Sequence, residues 1–229
     1  IGAATTGTVT VANAVVITGS ESQVTAALVT DGTKVTAPAA TIAVTGTTTA
    51  HGLNAVAAAT SGVVTATITG TAAALNAADG GLTTLVTDAI TITLDAGIAA
   101  ATDLTGLAAK TRIAVDANEV TAISGTGAEL VAVIAANIAS ESTLAIDGNY
   151  TVTLTAGGAA ATLAQLIAIN NATSGMITLG ANTTAGALSG SASDLTAALA
   201  GFAANTLSGD LVITGDAISI ADYMLIGPA

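Results

Sequence analysis

Two short segments of the chain group oxygen-bearing side chains that could bind a metal ion. Asp116, Asn118 and Glu119 form the first segment, and Asp147 and Asn149 form the second. Because hard cations are held by clustered carboxylate and carbonyl oxygens, we predict calcium as the candidate cofactor and these five residues as its candidate ligands. The same residue types also form turns, and neither segment matches an EF-hand loop. A turn without metal is therefore the alternative.

Catalytic chemistry has few candidate residues. His51 is the single histidine, and the chain contains no cysteine, which excludes thiolate metal sites and cysteine nucleophiles. No G-x-S-x-G turn or Walker loop supports a nucleophile or a phosphate site. A carboxylate pair for glycoside hydrolysis would come from only four glutamates. Sugar subsites also commonly use aromatic platforms, and aromatic residues make up 1% of the chain. We therefore predict that the protein is not an enzyme.

Charge and hydropathy limit the partners. Fifteen acidic residues face three basic ones, giving a formal net charge of −12. This charge excludes nucleic acid, whose phosphates would be repelled, and disfavours anionic membrane surfaces. No apolar run approaches the roughly 18 residues of a membrane-spanning helix, so we predict no membrane insertion. The chain begins at Ile1 rather than Met, which favours a processed mature protein or a piece of a longer one.

The elements that carry these residues are repeated. A phrase of the form Ser/Thr-Gly-Ser/Thr follows an apolar, β-branched run five times, which predicts a strand that ends in a tight turn. Five near-copies indicate a repeat architecture. The copies are Ile17–Ser20, Val44–Thr47, Ile68–Thr71, Ile123–Thr126 and Leu188–Ser191.

A capped helix is predicted after the turn. Ser20 with Gln23 and Thr126 with Glu129 have the spacing of capping boxes, and Ser191 is a further cap. Apolar residues then recur at helical spacing. A second variant predicts strands at 90–94, 151–154 and 211–213, with helices after Asp95, Thr155 and Asp216. Additional short strands are predicted at Thr8–Val11, Ile113–Val115, Thr143–Ile146 and Met176–Leu179.

The strand–turn–helix unit predicts the fold class. Alternating strands and helices favour parallel strands joined by right-handed crossovers, so we predict an α/β elongated repeat solenoid with short Ala-rich helices. The alternative is a mainly-β sandwich with helical decorations. We predict one repeat-built domain over 1–229, with residues 1–17 as an exchanged or donor strand. Neither end has a polar cap, so we expect head-to-tail contacts between copies.

The same phrases carry a resemblance. The repeated Ile/Leu-Ser/Thr-Gly-Ser/Thr-x-x-x-Leu pattern from about Val15 to Met224, in an acidic chain rich in Ala, Thr, Gly and Val, resembles repeat regions of large secreted surface proteins of cyanobacteria and other aquatic bacteria. The resemblance implies an extracellular or cell-surface location and a surface or matrix role. Such proteins often carry calcium-binding glycine-aspartate repeats, which this chain lacks.

These observations favour a self-assembling structural subunit of a filament, sheath or surface layer, with other copies of the chain as its partners. The alternative is an adhesin or a calcium-dependent carbohydrate-binding module with polysaccharide as its partner. Alternating threonines, as in Thr65-Ala66-Thr67 and Thr151–Thr155, add ice binding as a third candidate. Along the sequence this alternation is not kept in register through many repeats.

Overall fold

The structure is a computed structural model that describes residues 6–30, 32, 34–83, 85–138, 142–155, 161–179, 188–202 and 211–214. Within them helices alternate with strands, and every strand pair is parallel. This confirms the predicted α/β class with parallel sheets. The β-sandwich alternative is wrong, because such sandwiches are built from antiparallel sheets and the described strands form none.

The elements follow one another in a regular order. The strands are β1 (Val9–Thr10), β2 (Val16–Ser20), β3 (Val35–Thr36), β4 (Thr41–Thr47), β5 (Val64–Gly70), β6 (Ala89–Leu94), β7 (Gly97–Ala100), β8 (Val115–Asp116), β9 (Val120–Gly125), β10 (Leu144–Ala145), β11 (Thr151–Leu154), β12 (Ile177–Leu179), β13 (Leu188–Gly190) and β14 (Leu211–Ile213). The helices are α1 (Glu21–Leu28), α2 (Ala50–Ala58), α3 (Ala72–Asn76), α4 (Ala101–Ala108), α5 (Gly127–Ile138), α6 (Leu163–Ala172) and α7 (Ala192–Leu199).

The chain divides into two compact units. The first contains residues 1–95, 106–117 and 141–145. Its six-stranded sheet has the order β10-β8-β6-β5-β4-β2, and β1 pairs with β3 in a separate two-stranded sheet. Val9–Thr10 pairs with Val35–Thr36 of the same chain. This pairing does not test whether residues 1–17 exchange between copies, so that exchange stays a prediction.

The second unit contains residues 96–105, 118–140 and 146–229. Its four-stranded sheet has the order β12-β11-β9-β7, and β13 pairs with β14. Helix α6 packs against both α5 and α7. The last three residues of α4 belong to the first unit.

Alternation along the strands sets which side chains enter the core. In β6 the side chains of Ile90, Ile92 and Leu94 are buried, whereas Thr91 between them is exposed. Successive residues of a strand point to opposite faces of the sheet, so one face packs apolar residues and the other presents polar ones. The largest fully buried side chains are Ile42, Leu53, Ile90, Ile92, Leu94, Leu107 and Leu144 in the first unit and Leu104, Ile123, Leu154, Leu166 and Ile169 in the second.

Helix starts follow the predicted caps. Ser20 forms the capping box with Gln23, and Ser191 accepts a hydrogen bond from the Asp194 N–H group. Thr126 accepts from the Glu129 N–H group at 3.3 Å, while the Glu129 carboxylate accepts from the Thr126 N–H group at 2.8 Å. The predicted caps therefore satisfy backbone donors that a helix cannot satisfy itself.

The second repeat variant was predicted less accurately. The helix expected after Asp95 is present, but it begins at Ala101 because residues Gly97–Ala100 form β7. The helix expected after Thr155 begins instead at Leu163, where Thr162 and Gln165 form a capping box. The helix predicted after Asp216 lies outside the described residues. Each of the four predicted short strands overlaps one of β1, β8, β10 and β12.

A repeated Ala-Thr-Ser-Gly turn joins a helix to the next strand. After α2, the Thr60 hydroxyl donates to the Ala40 carbonyl at 2.5 Å and accepts from the Gly62 N–H group at 3.0 Å. After α6, the Thr173 hydroxyl donates to the Tyr150 carbonyl and accepts from the Gly175 N–H group in the same way. Each threonine thus fastens the turn to the preceding strand–helix segment.

The glycine of this turn is required by the close approach of the preceding segment. A Cβ atom on Gly62 would overlap the carbonyl oxygen of Ala40, and one on Gly175 would overlap the carbonyl oxygen of Tyr150. Both obstacles are backbone atoms, so no side-chain rotation relieves the overlap.

We therefore expect Gly62→Ala and Gly175→Ala each to lower the free energy of unfolding by about 1–3 kcal/mol, the usual cost of overpacking. Urea unfolding followed by circular dichroism measures the change. Gly148→Ala is the matched control, since its Cβ atom would lie 3.4 Å from the Ala172 carbonyl oxygen and should cost less than about 0.5 kcal/mol. Equal losses in all three variants would contradict the close-approach argument.

Candidate functional site

The predicted calcium ligands lie on strand ends and turns. Asp116 is the last residue of β8 and is partly buried, and Asn118 and Glu119 form the exposed turn that follows it. Asp147 and Asn149 are exposed before β11. In the described part of the chain, no three side chains of the His, Cys, Asp and Glu types form a group that could hold a metal ion. Calcium binding by these five residues stays a prediction.

The single histidine lies beside a helix cap. His51 is an exposed residue of the first turn of α2, whose cap is Thr49. The Glu21 carboxylate of α1 accepts hydrogen bonds from the Thr49 N–H group at 2.5 Å and from its hydroxyl at 3.0 Å. A negative charge at a helix start also interacts favourably with the helix dipole. These bonds give Glu21 a structural role in joining α1 to α2.

Other acidic residues are bound in the same way. The Glu129 carboxylate accepts from the Thr126 N–H group, and the Asp194 carboxylate accepts from the Ser191 hydroxyl at 2.7 Å. Glu141, the remaining glutamate considered for glycoside hydrolysis besides the exposed Glu119, lies outside the described residues. The described glutamates at helix starts therefore stabilise the fold through their hydrogen bonds.

The buried carboxylate of Asp88 was not identified from the sequence. Asp88 is 5% exposed, and its Oδ1 atom accepts from the Val64 N–H group of β5 at 2.7 Å. Its carbonyl oxygen also accepts from the Arg112 N–H group at 3.4 Å. Buried carboxylates need such partners because unpaired ones are costly. The available signal was an acidic residue placed directly before the apolar run of β6.

An extended polar surface covers the outer side of the first unit's sheet. We call it the threonine face and define it as Thr18, Thr41, Thr45, Thr47, Thr65, Thr67, Thr69, Thr91 and Thr93. These side chains are exposed or partly buried, and they lie on the side of the sheet opposite the buried Ile and Val residues.

The threonine face is ordered by the strand register. Thr67 pairs with Thr47 on one side and with Thr91 on the other, and Thr69 pairs with Thr93 in the next row. A backbone irregularity at Gly46, whose φ is 79°, brings Thr47 into this register. The structure thus aligns threonines over three strands, which the spacing along the sequence did not predict.

The hydroxyls of this face bind few groups among the described residues. The Thr65 hydroxyl donates to the Ile42 carbonyl at 3.3 Å. The other eight hydroxyls form no hydrogen bond with another described residue. By contrast, the hydroxyls of Thr60 and Thr173 in the turns each form a hydrogen bond with a backbone carbonyl. The face can therefore offer donors and acceptors to an external ligand.

Comparison with known proteins adds no assignment. No protein-family model matches the chain, and neither a curated protein nor a solved structure matches it. None of the helices in the described ranges is long and apolar enough to cross a membrane. The function must therefore be inferred from the chain's own geometry.

One buried titratable group gives the protein a pH dependence. Tyr150, directly before β11, is 4% exposed. Desolvation by burial raises the pKa of its phenol above the ordinary value of 10.0. The fold therefore favours the neutral phenol. In the unfolded chain the phenol ionises at its ordinary pKa, so the unfolded state binds fewer protons in the pH range between the two values.

We expect stability to fall as the pH rises above about 10, by up to about 1.4 kcal/mol per pH unit from this group. Unfolding in urea between pH 8 and pH 11 measures the loss, and Tyr150→Phe is the control because it removes the ionisation and keeps the ring. The variant should lose less stability over this range. An identical alkaline loss in both proteins would show that another group is responsible.

Proposed function

We propose that this chain is an extracellular structural protein whose copies join through the sheet edge of the first unit to build a filament, sheath or surface layer. The observation that carries the proposal is strand β2 (Val16–Ser20). It is the outermost strand of the six-stranded sheet, and β4 is its partner among the described strands. An edge strand presents unpaired N–H and C=O groups that can accept a strand from another molecule.

Within the described residues, β2 carries none of the side chains that usually oppose such pairing. Natural proteins cover edge strands or place lysine, other charged residues or proline on them. The segment Val16-Ile17-Thr18-Gly19-Ser20 has none of these residues, and Val16 is 73% exposed. An exposed apolar side chain on an open edge favours addition of a further strand. A second copy is the natural donor, because β2 already accepts a parallel strand of similar composition, β4, on its other side.

We also propose that successive strand–helix units stack on one another to form an elongated solenoid. Support comes from hydrogen bonds that recur at a similar sequence separation. Thr65 bonds to Ile42, 23 residues away, and Thr178 bonds to Val152, 26 residues away. In repeat proteins each step contacts mainly its neighbours, which makes the last strand of an array a natural site for adding another copy.

Composition favours a place outside the cell. The chain lacks cysteine, so an oxidising environment cannot create wrong disulfides. Its polar groups are mostly neutral hydroxyls, because charged residues make up 8% of the chain. Surfaces of this kind suit contact with other copies more than electrostatic recognition of a charged partner.

Val16→Lys tests the edge. Lysine on an edge strand opposes strand addition, so we expect the protein concentration at which assembly begins to rise about tenfold, equivalent to about 1.4 kcal/mol. Light scattering and negative-stain microscopy measure the onset. The matched control is Ile138→Lys, which makes the same kind of change at a 75% exposed residue on the end of a helix. Assembly that responds equally to both variants, or is absent from the wild-type protein, would refute the proposal.

Ionic strength should control the same assembly. Copies with a net charge of −12 repel one another, and salt at about 0.15 M shortens the range of this repulsion to about 8 Å. We therefore expect added salt to lower the concentration at which assembly begins. Calcium chloride and sodium chloride at matched ionic strength separate screening from binding. A larger calcium effect that disappears in the double variant Asp116→Asn, Glu119→Gln would establish the predicted calcium site.

A further inference from the structure

The threonine face has the geometry of a regular grid. Adjacent strands of a sheet lie about 4.8 Å apart, and alternate residues of one strand lie about 6.6 Å apart. Thr47, Thr67 and Thr91 occupy three neighbouring strands in one row, and Thr69 and Thr93 lie in the next row. Each threonine presents a hydroxyl and a methyl group, so the grid repeats two chemical groups at fixed spacing.

We propose that the threonine face binds ice. Eight of its nine hydroxyls have no hydrogen-bond partner among the described residues, so water satisfies them. Water molecules held by hydroxyls at fixed spacing, and confined between methyl groups, form a layer with the periodic order that a crystal of water requires. The ligand is thus an extended surface of ordered water, which needs no pocket, charge or cofactor.

Other occupants fit the face less well. Thr47, Thr67, Thr69 and Thr91 have no charged residue as a cross-strand partner, and the nearest acidic partner is Asp116 beside Thr93, so an ionic ligand has little to bind. A sugar polymer commonly stacks on aromatic rings, and none of these positions is aromatic. A second copy would have to bury hydroxyls whose bonds to water are then lost, which is costly unless every hydroxyl finds a new partner.

The test measures ice growth directly. Nanolitre osmometry of the wild-type chain should show a gap between the melting and freezing temperatures, and the ice crystals should be faceted. The double variant Thr67→Lys, Thr91→Lys should lose the gap, because two long charged side chains disrupt the central row. Since both residues are exposed, circular dichroism should show an unchanged fold.

The matched control places the same two changes elsewhere. Thr102→Lys with Ala135→Lys alters exposed positions of α4 and α5 and should keep the wild-type gap. Measurement below the concentration of assembly, checked by sedimentation, separates ice binding from association of copies through β2. The proposal is overturned by a folded wild-type protein without a gap, or by equal gaps or equal losses in the two double variants. If the Thr67→Lys, Thr91→Lys variant changed only the size of assemblies, the threonine face would serve contacts between copies, and the ice-binding proposal would be overturned.

Discussion

Neighbouring strands of a parallel sheet lie about 4.8 Å apart, and every turn between successive steps of this chain must fit that distance. The constraint is most visible at Gly62 and Gly175, where a single Cβ atom would collide with the backbone of the preceding step. The same constraint also explains why the chain is rich in small residues. Helices pack with their axes about 8–10 Å apart depending on the side chains between them, and small residues such as Ala and Gly permit the closer approach. A Cβ atom on Gly127 would lie 2.9 Å from that of Ala161.

Local features of the fold could be predicted from the sequence, whereas features that join distant residues could not. The capping boxes at Ser20 and Thr126 join residues three positions apart, so their residue types reveal them. The Thr60 hydroxyl bonds to Ala40, 20 residues away, and the Asp88 carboxylate bonds to Val64, 24 residues away. These partners become neighbours only when strand register is set. The register of the threonine face depends likewise on the irregularity at Gly46.

Hydrogen bonds that form only in the folded chain also explain the roles of several acidic residues. Glutamates were considered as catalytic groups, but Glu21 and Glu129 complete backbone hydrogen bonds at helix starts. Asp88, which was not considered, completes one inside the sheet. Glu21, Asp88 and Glu129 each accept from a backbone N–H group. A fold with many short helices and strands has many unsatisfied ends, and a chain with few charged residues uses much of its polar chemistry there. The surfaces that this arrangement leaves, and for which we propose contacts, are a strand edge and a sheet face.

The two surfaces are perpendicular, so use of one leaves the other open. The proposed strand addition at β2 would proceed in the plane of the sheet, along the direction of the backbone hydrogen bonds, whereas the threonine face points along the normal to that plane. A copy added in parallel at β2 would place its own strands beside Val16–Ser20, and the outer face of the joined sheet would grow by the area that the new strands bring. Binding to an extended surface strengthens steeply when sites are linked, because each further contact becomes intramolecular. Assembly through the edge would thus increase the affinity of the face for ice without any change in its residues.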